Sequence, residues 1–425
     1  MKGLYVHVPF CVSKCAYCDF YSLLGRQDSI ESYVQSVLRE AGAYPPSFLR
    51  RDLKGELSRQ NPSIQPPANE ALEDFPSAAD SRQSTYKKTS ESAQTFQTLY
   101  LGGGTPSLLG PQNLTTLIHG LLVSPLAPCG RELERGVTSV VESTIEINPE
   151  SAAPEFLQTV KNLGFNRLSF GVQSLSDCEL KSVGRIHTSA QAVAAIKQAQ
   201  KLGFKNISAD LIIGLPGQTW TSLYASLETL VKMGIQHLSV YCLALEEGTP
   251  LAENPPADLP SDELQAHLFE ETRAYLISKG FVHYEISNFA LPGFACLHNL
   301  NYWRGGEYLG LGPAAASHLA GQRFKNYPNL DSYIADPTGQ IEYIEELSKK
   351  EKAAEEAMLR LRLLKEGLDT IALAQKFGTD NVEDIITRLQ KLSQEELLVK
   401  DGSRFRLTPS RIMTSNPIFA RVIAE

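Results

Sequence analysis

Three cysteines crowd into eight residues, Cys11-Val12-Ser13-Lys14-Cys15-Ala16-Tyr17-Cys18, with the spacing C-x3-C-x2-C. Thiolate is a soft ligand, suited to zinc and to iron–sulfur clusters. Three thiolates in one short loop fit three corners of a [4Fe–4S] cubane and leave the fourth iron free to take a small molecule. Structural zinc usually wants four ligands, often as two separated pairs. No second cysteine pair lies nearby, so zinc would have to recruit Asp19 or His7. The other four cysteines, Cys129, Cys178, Cys242 and Cys296, are scattered. Seven cysteines in a long chain make no paired disulfide framework, which points to a reducing compartment with the scattered four in the core.

Something must hold that loop. Gly3–Val8 reads as a strand leading directly into the triad. Further strands are predicted at Gln97–Leu101, Ser139–Ile147, Arg167–Val172, Asn206–Ile213 and His237–Leu245. Helical periodicity covers Ser29–Tyr44, Gln112–Val123, Pro154–Leu163, Ser189–Leu202, Thr219–Met233 and Ser261–Lys279. Strand–helix alternation of this kind implies a parallel sheet with helices outside it. Periodicity leaves an open sheet and a closed or partial barrel equally allowed. Parallel sheets place their chemistry at the C-terminal ends of strands, where the triad falls.

Composition sets the outer bounds. The chain has 425 residues, 42 % hydrophobic and 21 % charged, so a sizeable core is expected. No run approaches the roughly 18 apolar residues of a membrane span. A formal charge of −8 lacks the basic excess of non-specific nucleic-acid binding. Met1–Phe10 has no small-residue cleavage site, so a cytoplasmic protein is expected. Residues 51–95 are rich in Ser, Gln, Pro and Ala and read as a flexible insertion. Helices over Ser348–Leu364, Asp369–Phe377 and Asn381–Leu392, then a hairpin over Lys400–Leu407, suggest a small winged-helix-like C-terminal domain. The expected division is 1–245, 246–345 and 346–425.

Polar and glycine residues recur at the predicted strand ends. Gly102-Gly103-Gly104-Thr105-Pro106 closes the second strand, and glycine lets backbone approach a ligand closely. Glu146 ends the third, where a buried carboxylate needs a partner such as a ribose hydroxyl or an ammonium group. Gly171-Val172-Gln173-Ser174 ends the fourth, Gly184-Arg185-Ile186-His187 follows, and Asp210 lies in the fifth. Taken singly, each has an ordinary reading. Arg185 could be a surface ion pair, Asp210 a strand-end group and Cys242 core. Their repetition at strand ends favours a ring around a ligand.

The triad, with the aromatic Tyr17 just before its last cysteine, resembles the radical S-adenosylmethionine (SAM) superfamily. Tyr5-Val6-His7-Val8-Pro9-Phe10-Cys11 and Cys18-Asp19-Phe20-Tyr21-Ser22 resemble the branch holding oxygen-independent coproporphyrinogen III oxidase and the HemW-type haem chaperones. The resemblance covers most of the chain outside residues 51–95. It implies an α/β fold built as a partial (β/α)6 barrel, with Cys11, Cys15 and Cys18 holding a [4Fe–4S] cluster and SAM on the open iron. It places SAM contacts at Tyr5, Gly103, Gly104, Thr105, Glu146, Gln173, Arg185, Asp210 and Cys242, with Tyr17 beside the cluster.

Two departures separate this chain from the oxidase. Phe20 stands where the oxidase has a fourth cysteine, and the strand at Gly3 leaves almost no preceding chain to help hold a second SAM. His298-Asn299-Leu300-Asn301-Tyr302-Trp303 instead matches the HNxxYW motif of the HemW type. Tyr284–Ala290 and Tyr308–Gly312 also match that type, whereas Gly312-Pro313-Ala314-Ala315-Ala316-Ser317-His318 departs slightly. Imidazole is a common axial ligand of haem iron, which makes His298 the candidate haem residue. From residue types alone a core histidine is the better reading, and it is the motif match that favours haem. The expected function is to bind haem and pass it to an acceptor protein, with an electron donor possible and membrane contact at most transient. The alternative is a radical enzyme of porphyrin metabolism, in which cleaved SAM abstracts hydrogen from a porphyrinogen side chain.

Overall fold

The computed structural model describes residues 1–44, 96–123 and 140–424. The expected insertion at 51–95 and Cys129 lie outside the described residues. Six strands lie side by side in parallel: β1 (Lys2–Val8), β2 (Thr98–Gly103), β3 (Glu142–Ile147), β4 (Arg167–Gln173), β5 (Ile207–Ile213) and β6 (His237–Cys242). Their central residues, such as Val6, Leu101, Ile145, Phe170 and Leu211, are completely buried. That matches strands covered on both faces by apolar layers. The helices α1 (Ile30–Ala43), α2 (Gly110–Val123), α3 (Pro154–Asn162), α4 (Ser189–Lys201), α5 (Trp220–Lys232) and α6 (Asp262–Ser278) alternate with them.

Local chemistry fixes the helix starts. Thr188 and Thr219 form capping boxes with Gln191 and Ser222, and Ser261 accepts from the Leu264 N–H. Each satisfies backbone donors that the first turn leaves free. The Ser29 side chain does not cap α1, because its backbone is already near-helical (φ −90°, ψ −4°) and not in the extended capping conformation.

The sheet continues past both ends of the parallel set. A hairpin of β7 (Val282–Glu285) and β8 (Asn288–Ala290) adds antiparallel to β6. After helix α7 (Leu297–Trp303), β9 (Glu307–Leu311) pairs parallel to β1 on the far side. β10 (Ala316–Leu319), β11 (Gln322–Asn326) and β12 (Ile341–Glu345) extend that edge antiparallel. The result is one mixed sheet of twelve strands whose two edges stay apart among the described residues, a partial barrel and not a closed one. Sequence periodicity missed β9, which is short and carries Gly310. A Cβ there would stand 2.1 Å from the Ala316 carbonyl oxygen, so only glycine lets the next strand approach.

The C-terminal helices α8 (Lys349–Leu361), α9 (Thr370–Phe377), α10 (Glu383–Gln394) and α11 (Ser415–Ile423) pack on a small three-stranded sheet. Its hairpin joins Leu398–Asp401 to Arg404–Leu407, with Gly402 at the turn in the left-handed region. Leu361, Ile385, Leu389 and Phe405 form a core separate from that of the large sheet, giving the winged-helix-like arrangement expected.

One buried carboxylate ties the far edge to α1. Glu40 accepts hydrogen bonds from the Gly312 N–H (2.9 Å), Asn326 Nδ2 (2.7 Å) and the Tyr333 hydroxyl (2.5 Å). Burial pushes its carboxyl up to about 7, against those three donors, which favour the charged form. We expect Glu40→Leu to cost about 3 kcal/mol or more, because it strands buried donors without partners. A fall in denaturation midpoint, much larger than for Glu40→Gln, checks this. Equal midpoints for wild type and the Leu variant would refute it.

Candidate functional site

The C-terminal ends of β1 to β6 converge on one cavity of about 380 Å3. The triad loop forms one wall. It follows β1 through Phe10–Cys11, a two-residue strand that pairs with Leu23–Leu24, so the loop is closed by backbone at its base. Cys11, Cys15 and Cys18 all line the cavity and none is in a disulfide. Burial pushes the Cys18 thiol up. Among the described residues no group of three or more His, Cys, Asp or Glu is arranged to clasp a single metal ion.

A hydrogen-bonded arch joins two of the sulfurs. The Thr105 hydroxyl points at Cys11 Sγ from 3.6 Å and accepts from Asn148 Nδ2 at 2.9 Å. Asn148 Oδ1 in turn accepts from the Arg185 guanidinium at 2.9 Å. Arg185 also donates to the Gly171 carbonyl at 2.7 Å and reaches Cys15 Sγ at 3.5 Å. Donors aimed at sulfur stabilise anionic thiolates and tune whatever metal they bind. Asn148 was not singled out from sequence, although a polar residue two places beyond Glu146, just past a strand end, was the available signal.

The expected SAM contacts mostly gather here. Gly103, Gly104, Thr105, Glu146, Gln173, Arg185, Asp210 and Cys242 line the triad cavity, and so does Tyr17. Gly104 is required by space, since a Cβ there would lie 2.6 Å from the Phe10 carbonyl oxygen. Gln173 sits at φ +62°, a left-handed conformation uncommon outside glycine, at a register shift between β4 and β5. Glu146 already has partners: the Tyr100 hydroxyl at 2.7 Å and the Gly103 N–H at 3.1 Å. Burial nevertheless pushes its carboxyl up to about 7. Asp210 is contacted by the Ser169 hydroxyl, at 3.3 and 3.5 Å, and by the Ser239 hydroxyl, and burial raises its carboxyl too. The half-buried Glu146 and Asp210 carboxylates and the unpartnered Arg185 Nε are groups that a zwitterionic, hydroxyl-bearing ligand can satisfy. The donor set therefore fits a three-thiolate cluster carrying an amino-acid-type ligand.

Tyr5 and His298 stand elsewhere. Tyr5 lines a second cavity, of about 670 Å3, on the other side of the triad loop, and its hydroxyl meets His7 Nδ1 at 3.1 Å. His298 is buried, with Nδ1 2.8 Å from Thr98 Oγ1 and Nε2 2.7 Å from the Tyr302 hydroxyl. Its ring stacks on Tyr100. Burial, reinforced by Arg167, holds it neutral, down to about 3. The α7 helix that carries it starts on Glu142, whose carboxylate accepts from the Leu297 and His298 N–H groups at 3.0 Å. Sequence reading passed over both Glu142 and Thr98, because only the fold brings strand starts under this helix. Of the scattered cysteines, Cys296 is buried as expected, Cys242 borders the site, and Cys178 is exposed. Cys178 lies near the start of a short surface helix, Asp177–Ser182, whose core-facing positions are Glu179 and Leu180.

A thiol triad at the end of the first of six parallel strands, facing acidic and glycine-rich strand ends, defines the radical SAM class. The model of the radical SAM superfamily matches residues 86–230, and that of the HemN C-terminal domain matches residues 347–411. The fold is shared with the radical SAM enzyme coproporphyrinogen III oxidase (HemN) from Escherichia coli. That structure aligns with a TM-score of 0.75 at 21 % identity, over 99 % of this chain and 89 % of its own. Heme chaperone HemW of Lactococcus lactis is 30 % identical, across 100 % of this chain and 98 % of that one. Heme chaperone HemW of Mycobacterium tuberculosis is 33 % identical, over 85 % and 81 %. This chain belongs to the HemW family of the radical SAM superfamily.

Proposed function

We propose that this protein binds haem and passes it to an acceptor protein, with a SAM-ligated [4Fe–4S] cluster as its resident cofactor. The full-length likeness to relatives named heme chaperone HemW carries the reading. The sulfur-lined cavity supports the cofactor part. When bound, the cluster supplies one-electron chemistry at an open iron.

The chain's own residues do the rest. Cys11, Cys15 and Cys18 hold the cluster. Thr105 and Arg185 donate toward the sulfurs of Cys11 and Cys15. Gly103 and Gly104 admit backbone contact with SAM, Glu146, Gln173, Asp210 and Cys242 surround it, and Tyr17 flanks the cluster. Tyr5 serves from the neighbouring cavity, and His298 belongs to the haem function through its motif. The three-part division at 245 and 345 belongs to the same reading. So do a cytoplasmic location, an external electron donor, at most transient membrane contact and no nucleic-acid partner. No helix among the described residues is long and apolar enough to cross a membrane.

The test is anaerobic reconstitution followed by haem titration, with and without SAM, and then transfer to an apo-acceptor. About one haem bound per chain supports the reading, as for a single-pocket carrier; no saturable haem binding refutes it. A second expectation separates chaperone from oxidase. Phe20, which is 63 % exposed, stands where the oxidase has its fourth cysteine. We expect no protoporphyrinogen from coproporphyrinogen III with cluster, SAM and reductant present. Steady product accumulation at a rate near that of a known oxidase would transfer the protein to the enzyme reading.

A further inference from the structure

The larger cavity lies outside the triad pocket, yet it shares a wall with it. Lys14, Asp19, Phe20 and Ser22 of the triad loop line both cavities. On the larger side the loop faces Tyr302 and Tyr308, whose rings meet edge to face with centroids 4.4 Å apart. Lys325 of β11 closes the same space, 2.7 Å from Glu342. Aromatic rings beside two ammonium groups suit a flat, apolar ligand with carboxylates at its edge. The volume, about 670 Å3, lies within the range of small-molecule sites. Phe20 adds an exposed aromatic ring at the shared wall. Asp19 is the lone acid of the lining itself, and Glu342 pairs with Lys325 from outside it.

We propose that haem seats in this second cavity, with its ring against Tyr302, Tyr308 and Phe20 and its propionates taken by Lys14 and Lys325. The proposal rests on the haem reading above and adds a location to it. It also gives His298 a part consistent with its geometry. Both ring nitrogens are engaged and the side chain is buried, so the histidine is a positioning residue that fixes the Tyr302 hydroxyl. Tyr302 is the member of the HNxxYW motif that reaches the cavity. Haem seated here lies across the triad loop from the cluster.

The experiment titrates the reconstituted full-length protein with haem and with haem dimethyl ester, whose propionate charges are blocked. Wild type should prefer haem. Lys14→Gln combined with Lys325→Gln should weaken haem about tenfold and leave the ester unchanged, as expected for lost charge-assisted contacts. Tyr308→Ala should weaken both ligands. Iron and sulfide content, measured on each sample, should stay at the wild-type level. Wild type binding haem and ester equally, or a double lysine variant that keeps full preference for haem, overturns the seat while leaving the chaperone reading intact. Failure of wild type to bind haem at all overturns both.

Discussion

Cys11→Ala, Cys15→Ala and Cys18→Ala should each leave the reconstituted protein with almost no iron or sulfide. A site-differentiated cubane has three protein anchors, and losing one exposes a second iron. Thiolate binding energy is also the energy that assembles such a site. The loop offers no substitute, because Cys242, the other cysteine lining the cavity, sits on β6 and not on the loop, and Asp19 is an exposed, hard oxygen ligand. The arch makes Cys11 and Cys15 the more sensitive pair, since they alone have Thr105 and Arg185 at hydrogen-bonding range. Cys178→Ala is the control, because that thiol is exposed and remote from the cavity lining. Iron and acid-labile sulfide assays, with the charge-transfer absorbance of the cluster, read the result. A triad variant that keeps a full complement of four irons would remove the cluster assignment.

His298→Ala should weaken haem binding by about tenfold to a hundredfold while leaving the cluster in place. The magnitude follows from two hydrogen bonds lost in a buried setting, at roughly 1 kcal/mol or a little more each. Thr98 and Tyr302 lose their partner together, and the ring stacked on Tyr100 leaves a void. His298→Gln, which can still pair with both hydroxyls, should retain much of the affinity. Rescue by glutamine argues for positioning, because an imidazole bound to iron is not replaced by an amide. Haem titration by absorbance, with iron–sulfur content on the same sample, decides among the outcomes. Loss of haem and cluster together would mark His298 as a folding residue. Undiminished affinity would take it out of haem binding altogether.

The two expectations differ in how far the sequence could reach. The triad is local: its spacing in eight residues is a chemical statement before any fold is known. The six strand–helix units were also legible, because burial on both faces leaves runs such as Leu211–Ile213 apolar and punctuates them with caps and glycines. Strand ends could be named for the same reason, so Glu146 and Gln173 were marked, with Asp210 inside the fifth strand, and all three line the triad cavity in the structure. Open sheet versus barrel was not legible, since the same alternation suits either. That choice came from resemblance, and the structure keeps the edges apart.

What only tertiary structure decided is where distant segments meet. β9 pairs with β1 across some 300 residues of sequence, and no periodicity announces a five-residue strand interrupted by a glycine at its fourth position. That pairing brings Tyr302, Tyr308 and Lys325 to the triad loop and creates the second cavity. The same folding buries His298 between Thr98 and Tyr302 and caps its helix with Glu142. By itself, then, the sequence determined the thiol triad, the parallel units and the family. The tertiary structure decided that the motif histidine faces inward and its tyrosine outward. The physical reason is that ligand spacing is set by local chain geometry, whereas a side chain's surroundings depend on contacts between segments far apart in the chain.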